Sequence, residues 1–229
     1  MAFAIIAAAG RGSRLGGPVA KFELELCGKP MLLYSIEAFQ AARCVDAIIL
    51  VVPEERLCAW TVDDLRARGI SKATATVAGG TTRQESVRRG LKSIPDEAGT
   101  VVIHDAARPL VTPEAVEAAC LIPDDADGVI TAVGVIDTIK SVKGAVVGST
   151  LEREFLVAVQ TPQAFRLDVL RDAHLAAREQ GFEGTDDAAL VERIGGVVAV
   201  VEGSRENIKV TFGEDLARVD AIIGERRKR

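Results

Sequence analysis

The sequence predicts an α/β protein built on a doubly wound, mostly parallel sheet, with a β-arm projecting from it. Three observations predict this. Short, nearly continuous apolar runs recur through the first 135 residues, as strands buried on both faces require. Segments with apolar residues at i, i+4 and i+7 lie between them, and strand alternating with helix is the pattern of a parallel sheet. The rhythm then breaks between Gly134 and Gln160, where a hairpin replaces the helix that was due.

The first run, Phe3 to Ala8, leads directly into glycines. It is too short to span a bilayer and lacks a basic flank, so it reads as the buried first strand of a cytoplasmic protein. Further strands are expected at Ala47–Val52, Ala73–Val77, Thr100–His104 and Val129–Val133. Between them Leu32, Ile36 and Phe39 share one helical face, as do Val87, Leu91 and Ile94, and Val116 with Ala119 and Cys120. Pro30 is expected to open the first of these helices and Pro113, behind Thr112 as N-cap, the third, because proline lacks the N–H left unsatisfied there. In the arm, about residues 134–158, Val135 to Lys140 alternates loosely, Lys143-Gly144 is a turn, and Ala145-Val146-Val147 returns. Its exposed edges invite pairing with the same arm of a second chain, so a homodimer is expected. Helices follow around Leu167–Arg178 and Asp186–Arg193, then a strand at Val197–Val201 and a last helix with Leu216, Val219, Ile222 and Ile223 on one face. No linker, repeat or compositional break divides the chain, and residues 1–229 read as a single domain.

With 48% hydrophobic but only 4% aromatic residues, the core must rest on Val, Ile, Leu and Ala. A net charge of −5 provides no overall field for nucleic acid, so any polyanion must be held by local cations. The one basic run, Arg226 to Arg229, reads as a solvated tail. Cys27, Cys44, Cys58 and Cys120 form no Cys-x-x-Cys pair, and His104 and His174 stand apart from them; structural zinc is not expected.

Three segments carry candidate chemistry. The first, Ala8-Ala9-Gly10-Arg11-Gly12-Ser13-Arg14-Leu15-Gly16-Gly17, follows the first strand. Its glycines let backbone N–H groups approach phosphate oxygens at the carboxyl end of a strand. A dinucleotide fingerprint or a plain turn competes with this reading, but Arg14 stands near the place of the third glycine and no acidic ribose clamp follows. Arg14 and Lys21, seven residues apart, bring two cations to the same cradle, where phosphoryl transfer gathers negative charge. The second segment, Gly79 to Val87, includes Gly80, Arg83 and Ser86; it suits a flat base against small residues with Ser86 or a backbone amide on the base edge, or a turn with a threonine N-cap. In the third, His104-Asp105-Ala106-Ala107-Arg108-Pro109, Asp105 is placed to hold Mg²⁺ directly or through water and Arg108 to position an anion, with a surface salt bridge as the competing reading. His104 reads as a packed strand residue.

Taken together and in order, these motifs, with Thr161-Pro162-Gln163 before Phe165, Thr185-Asp186-Asp187-Ala188 and Asn207-Ile208-Lys209-Val210-Thr211, resemble the 2-C-methyl-D-erythritol 4-phosphate cytidylyltransferases almost end to end. The resemblance implies a Rossmann-like nucleotidyltransferase fold, CTP and a polyol phosphate as substrates, a divalent cation such as Mg²⁺, and an arm crossing to the partner subunit. It implies Arg14 and Lys21 as transition-state stabilisers, Ala8, Ala9, Gly10, Gly12, Gly80, Arg83 and Ser86 as CTP contacts, and Asp105 beside metal and substrate. Arg153 and Lys209 match the pair that orients the methylerythritol phosphate; Arg108, Thr138 and Thr161 match secondary substrate contacts. The sequence departs from the family at Ala20-Lys21-Phe22, where Pro-Lys-Gln is usual.

The expected reaction is in-line attack of the acceptor's phosphate oxygen on the α-phosphorus of CTP. A phosphate monoester is largely ionised at pH 7, so no general base is required. Two other readings stand beside it: a ribitol 5-phosphate cytidylyltransferase, and a non-catalytic nucleotide-binding subunit. A nicotinamide oxidoreductase is a poorer third.

Overall fold

The structure, a computed structural model, describes residues 1–10 and 20–228. In chain order its elements are β1 (Ala2–Ala7), β2 (Glu25–Leu26), β3 (Lys29–Pro30), α1 (Met31–Ala41), β4 (Ala47–Val52), α2 (Val62–Ala67), β5 (Ala73–Ala78), α3 (Arg83–Leu91), β6 (Thr100–Asp105), α4 (Pro113–Cys120) and β7 (Gly128–Gly134). After them come β8 (Lys140–Lys143), β9 (Val146–Thr150), β10 (Val157–Arg166), α5 (Leu167–Glu179), α6 (Asp187–Arg193), β11 (Val198–Glu202) and α7 (Gly213–Arg226).

The main sheet has the order β11-β7-β10-β6-β1-β4-β5. All its pairings are parallel except those of β10, which runs antiparallel to both β6 and β7. In β1, Ala4 and Ile6 point into one layer of the core, with Leu32, Ile36 and Phe39 of α1 and Val116 and Ala119 of α4. Phe3 and Ile5 point into the other, with Val87 and Leu91 of α3, Leu170 and Ala173 of α5, and Leu190 of α6. This period-two division of a wholly apolar strand is what a sheet covered by helices on both faces demands. A smaller cluster, Leu26, Met31, Leu110, Val210, Val219 and Ile223, seats α7 against the β2–β3 hairpin.

The helix starts follow local chemistry. The hydroxyls of Thr82 and Thr112 accept the N–H of Glu85 (3.1 Å) and Ala115 (3.3 Å), and the Asp186 carboxylate accepts that of Ala189 (3.0 Å), each satisfying an orphan donor of its helix. Pro113 is the first residue of α4, as expected, whereas Pro30 stands one residue before α1 and ends β3 instead.

The arm differs from expectation in register. Its first strand begins at Lys140 rather than near Val135, and Gly144, at φ +62°, makes the turn. The stem is the end of β7 paired with the start of β10, Gly134 opposite Val157 and Ala132 opposite Val159. Val142, Val146 and Phe155 are 67%, 71% and 77% exposed, so the arm's own chain leaves its apolar side chains uncovered.

Candidate active site

The chain passes from β1 to β4 and β5 on one side, then returns to β6 on the other. The carboxyl ends of β1 and β6 therefore flank a topological switch point, where open α/β sheets bind ligands. Backbone bonds prolong the ladder beyond the strand ends: Ala8 N–H donates to Val51 O (2.8 Å), Gly79 N–H to Val52 O (2.8 Å) and Ala106 N–H to Ala7 O (3.1 Å). Three loops thus leave the sheet in parallel. A Cβ on Gly79 would lie 2.1 Å from the Ala9 Cβ and 2.9 Å from Ser86 Oγ, so only glycine lets the first two loops meet.

Between these loops lies a cavity of about 370 Å³. Ala7, Ala8, Ala9 and Gly10 form one wall, Gly80 to Arg83 and Ser86 another, and Asp105 to Ala107 the floor, with Lys21, Lys209 and Thr211 at its margins. The Gly80 wall is braced from behind. Glu85 accepts the Thr81 N–H (2.8 Å) and hydroxyl (3.0 Å), and Arg89 joins Glu85 (2.7 Å) to the Gly79 carbonyl (2.7 Å). The Thr81 backbone N–H and the Arg89 guanidinium hold the Glu85 carboxyl down to about 2.

A second cavity of about 250 Å³ adjoins the first and shares Arg83, Asp105 and Lys209 with it. It adds Arg108, Gln160, Thr161, Gln163 and Asp186. At the shared wall Arg83 Nε donates to Asp105 Oδ1 (2.8 Å), Lys209 Nζ to Asp105 Oδ2 (2.6 Å), and Arg83 Nη1 to Asp187 Oδ2 (2.6 Å). Behind them His174 Nε2 meets Asp187 Oδ1 at 3.1 Å. Burial opposes ionisation of Asp105 and Asp187, but Arg83, with Lys209 on the former and His174 on the latter, holds both carboxyls below the usual carboxylate range. Burial likewise opposes the Arg83 charge, and the two carboxylates outweigh it.

A second chain of hydrogen bonds fixes the opposite wall. His104 is fully buried, tilted against Phe39 with ring centroids 5.1 Å apart, and burial pushes its imidazole down to about 3. Its Nε2 faces the Arg108 carbonyl at 3.2 Å, which can only accept, so Nε2 carries the proton and Nδ1 accepts from the Thr161 hydroxyl at 3.0 Å. Thr161 Oγ1 in turn accepts the Asp105 N–H (3.1 Å). Asn207 donates to Thr161 O (2.9 Å) while its own carbonyl takes Arg108 Nη1 (2.8 Å), and Val210 N–H donates to Ala107 O (2.8 Å). Lys209 is carried between these two anchors.

A profile of the 2-C-methyl-D-erythritol 4-phosphate cytidylyltransferase family matches residues 2–225. The chain belongs to this family. The member from Rubrobacter xylanophilus is 44% identical over 231 aligned positions, covering 100% of this chain and 97% of that one. The member from Geobacter metallireducens is 40% identical, covering 98% of each. The crystal structure of 4-diphosphocytidyl-2C-methyl-D-erythritol synthase from Anaerococcus prevotii superposes with a TM-score of 0.86 at 29% identity, covering 97% of this chain and 96% of that one.

In this cytidylyltransferase-family chain, Ala8, Ala9, Gly10, Lys21, Gly80, Arg83, Ser86, Asp105 and Lys209 come together on the first cavity, and Arg108 and Thr161 join the shared residues on the second. Arg14 and Gly12 lie outside the described residues. Thr138 and Arg153 are on the exposed arm and line neither cavity; Arg153 Nη1 donates to the Ile136 carbonyl at 2.9 Å. The Ser86 hydroxyl donates to Thr82 O (2.9 Å) and accepts the Gly80 N–H (3.0 Å), so it shapes the glycine turn and retains only acceptor capacity for a base. Arg83 spends Nε and Nη1 on the two aspartates and is a wall of the site before it is a nucleotide contact. The Gly79–Val87 segment lines the cavity, and Thr82 caps α3 as the turn reading expected.

Asp105 is the only carboxylate among the described residues that line the larger cavity, and both its oxygens already face cations. Mg²⁺ is commonly held by one or two carboxylates plus substrate phosphates. Among the described residues no group of three or more His, Cys, Asp or Glu side chains is placed to hold a metal, and no helix is long and apolar enough to cross a membrane.

The Ala20-Lys21-Phe22 departure also has a structural counterpart. Lys21 opens a 3-10 turn, Lys21–Glu23, in which Phe22 is 2% exposed and packs edge-on against Trp60 at 6.0 Å. Trp60 Nε1 donates to Glu23 Oε1 at 3.0 Å, and Arg56 pairs with the other Glu23 oxygen at 3.2 Å. A buried aromatic pair here fixes the turn that presents Lys21. Sequence reasoning gave no role to Asp187 or Asn207, although both lie in motifs singled out there, and the Phe22–Trp60 contact had no local signal.

Proposed function

We propose that the protein transfers the CMP moiety of CTP to 2-C-methyl-D-erythritol 4-phosphate, releasing pyrophosphate, in isoprenoid precursor biosynthesis. The observation that carries this is the shared wall: Arg83, Asp105 and Lys209 belong at once to a nucleotide-sized cavity at the switch point and to a smaller polar cavity beside it. A transferase that joins two ligands needs adjoining sites, and two anions meeting there need cations between them.

The nucleotide occupies the larger cavity, with its base against Ala8, Gly80 and Ser86 and its phosphates toward Lys21. The acceptor occupies the smaller one, its hydroxyls within reach of Asp105 and Thr161. Arg83 and Arg108 both line this cavity and give its wall two guanidinium cations for an anionic acceptor. Lys209 holds the acceptor's phosphate near the α-phosphorus. The new bond joins a phosphate oxygen to the α-phosphorus as the bond to the β-phosphate breaks; the leaving charge is met by Lys21 and, from the glycine loop, Arg14. Asp105 is the residue that would help to hold a divalent cation such as Mg²⁺, which would neutralise part of the phosphate charge. No side chain has to remove a proton.

Homodimerisation through the arm belongs to the same proposal. The uncovered valines and Phe155 need a partner surface, and a second chain would bring its Arg153 and Thr138 to the acceptor cavity. The ribitol 5-phosphate and non-catalytic alternatives are not favoured by the end-to-end family match.

The test is pyrophosphate release by the purified protein with CTP and Mg²⁺, comparing methylerythritol phosphate, ribitol 5-phosphate and no acceptor. Release only with methylerythritol phosphate is expected. Release only with the ribitol ester would overturn the acceptor, and release with neither would overturn catalysis.

A further inference from the structure

Helices α1 and α4 cover the same face of the sheet, and their C-terminal ends converge away from the cavities. Cys44 sits in the turn after α1 and Cys120 is the last residue of α4. Although 76 positions apart, their Sγ atoms lie 2.6 Å from one another. A disulfide brings its sulfurs to about 2.05 Å, so the separation of the two sulfurs exceeds that bond length by roughly half an ångström. The frame around the pair is already fixed: Arg43 N–H donates to Glu117 Oε1 at 2.8 Å, and Val45, Val116 and Ala119 are core residues of one cluster. Both thiols are partly exposed, whereas Cys58 is exposed without a second cysteine beside it among the described residues and Cys27 faces the Asp220 carbonyl.

We propose that Cys44 and Cys120 form an oxidisable dithiol, a modification site at which hydrogen peroxide produces an intramolecular disulfide. The Cys44 thiolate attacks one peroxide oxygen; the S–O bond forms, the O–O bond breaks, and hydroxide leaves and is protonated to water. The Cys120 thiol then attacks the Cys44 sulfur, forming S–S, breaking S–O and releasing a second water. Two thiols and one peroxide thus give one disulfide and two waters. The hydrogen bond to Cys120 lowers the Cys44 thiol from its ordinary value, against burial and the Glu117 carboxylate, which makes Cys44 the attacking sulfur. The staple lies far from the shared wall, and the inference is independent of the reaction proposed above.

The experiment treats the native full chain with increasing peroxide, blocks remaining thiols by alkylation, and maps unreduced peptides by mass spectrometry. The expected result is a Cys44–Cys120 linked pair, lighter by two hydrogens and reversed by dithiothreitol, that appears before Cys58 is modified and leaves the chain monomeric on a non-reducing denaturing gel. In Cys44→Ser the linked pair is absent and Cys120 stays alkylatable at the same dose. Oxidation of Cys58 while Cys44 and Cys120 both remain alkylatable, or crosslinks between chains at these positions, would overturn the proposal.

Discussion

Replacing Asp187 by Asn tests the architecture of the shared wall. Asp187 is 1% exposed and accepts from both Arg83 Nη1 and His174 Nε2. The amide keeps the shape but loses the charge, and its single oxygen serves only one of two buried donors. Breaking one side of a buried ion pair costs about 3–5 kcal/mol, and the retained acceptor places this change near the lower end. In a chain of this size each kcal/mol moves the midpoint by roughly 2–4 °C, so a fall of roughly 6–12 °C is expected. The pH dependence gives the sign. The folded Asp187 carboxyl lies below its ordinary value, so its contribution is full above the unfolded pKa of about 3.9 and is lost as pH falls through the folded value. The variant lacks that contribution at every pH, so the gap between the two proteins narrows below about pH 4. Urea unfolding followed by circular dichroism at pH 7 and pH 3 measures both gaps. A loss under about 1 kcal/mol at pH 7, or a gap undiminished at pH 3, would refute the reasoning.

Three further outcomes are expected. Gly79→Ala forces apart the loops carrying Ala9 and Ser86, raising the CTP KM about tenfold and costing about 1–3 kcal/mol, measurable by pyrophosphate release and thermal melting. Trp60→Phe keeps an aromatic edge for Phe22 but removes the hydrogen bond to Glu23; turnover drops several-fold with the CTP KM nearly unchanged, because it is the presentation of Lys21 that loosens. Mixing Lys21→Glu with Arg153→Met chains recovers activity that neither has alone if the arm completes the partner's site, and no recovery would assign each site to a single chain.

The parallel half of the fold was legible because buried strands such as Ala47 to Val52 are apolar without interruption, and the helices between them keep one apolar face. Strand β10 was not, although it joins the two halves of the sheet. Gln160, Pro162 and Gln163 break its pattern, proline argues against an interior strand, and its register against β7 shifts between Val159 and Gln163. The arm's first strand was placed early because Val135 and Ile136 look strand-like, while pairing begins only at Lys140. At the site, residues beside strand ends were readable from glycines and charges. The Arg83–Asp187 contact, 104 positions long, exists only after α3 and α6 pack on the same face, and nothing local announces it.

One consequence of the buried His104 concerns what a pH–rate profile would report. With its imidazole pushed down to about 3, the hydrogen-bonded series from Arg108 through His104 and Thr161 to Asp105 keeps one proton arrangement through the neutral range, and Asp105 remains a carboxylate beside it. The free phosphate monoester of the acceptor, by contrast, changes charge near pH 6. An inflection there would not come from this series or from Asp105: the nucleophile supplies a titration of its own, and this wall serves as a fixed template on which that change is read.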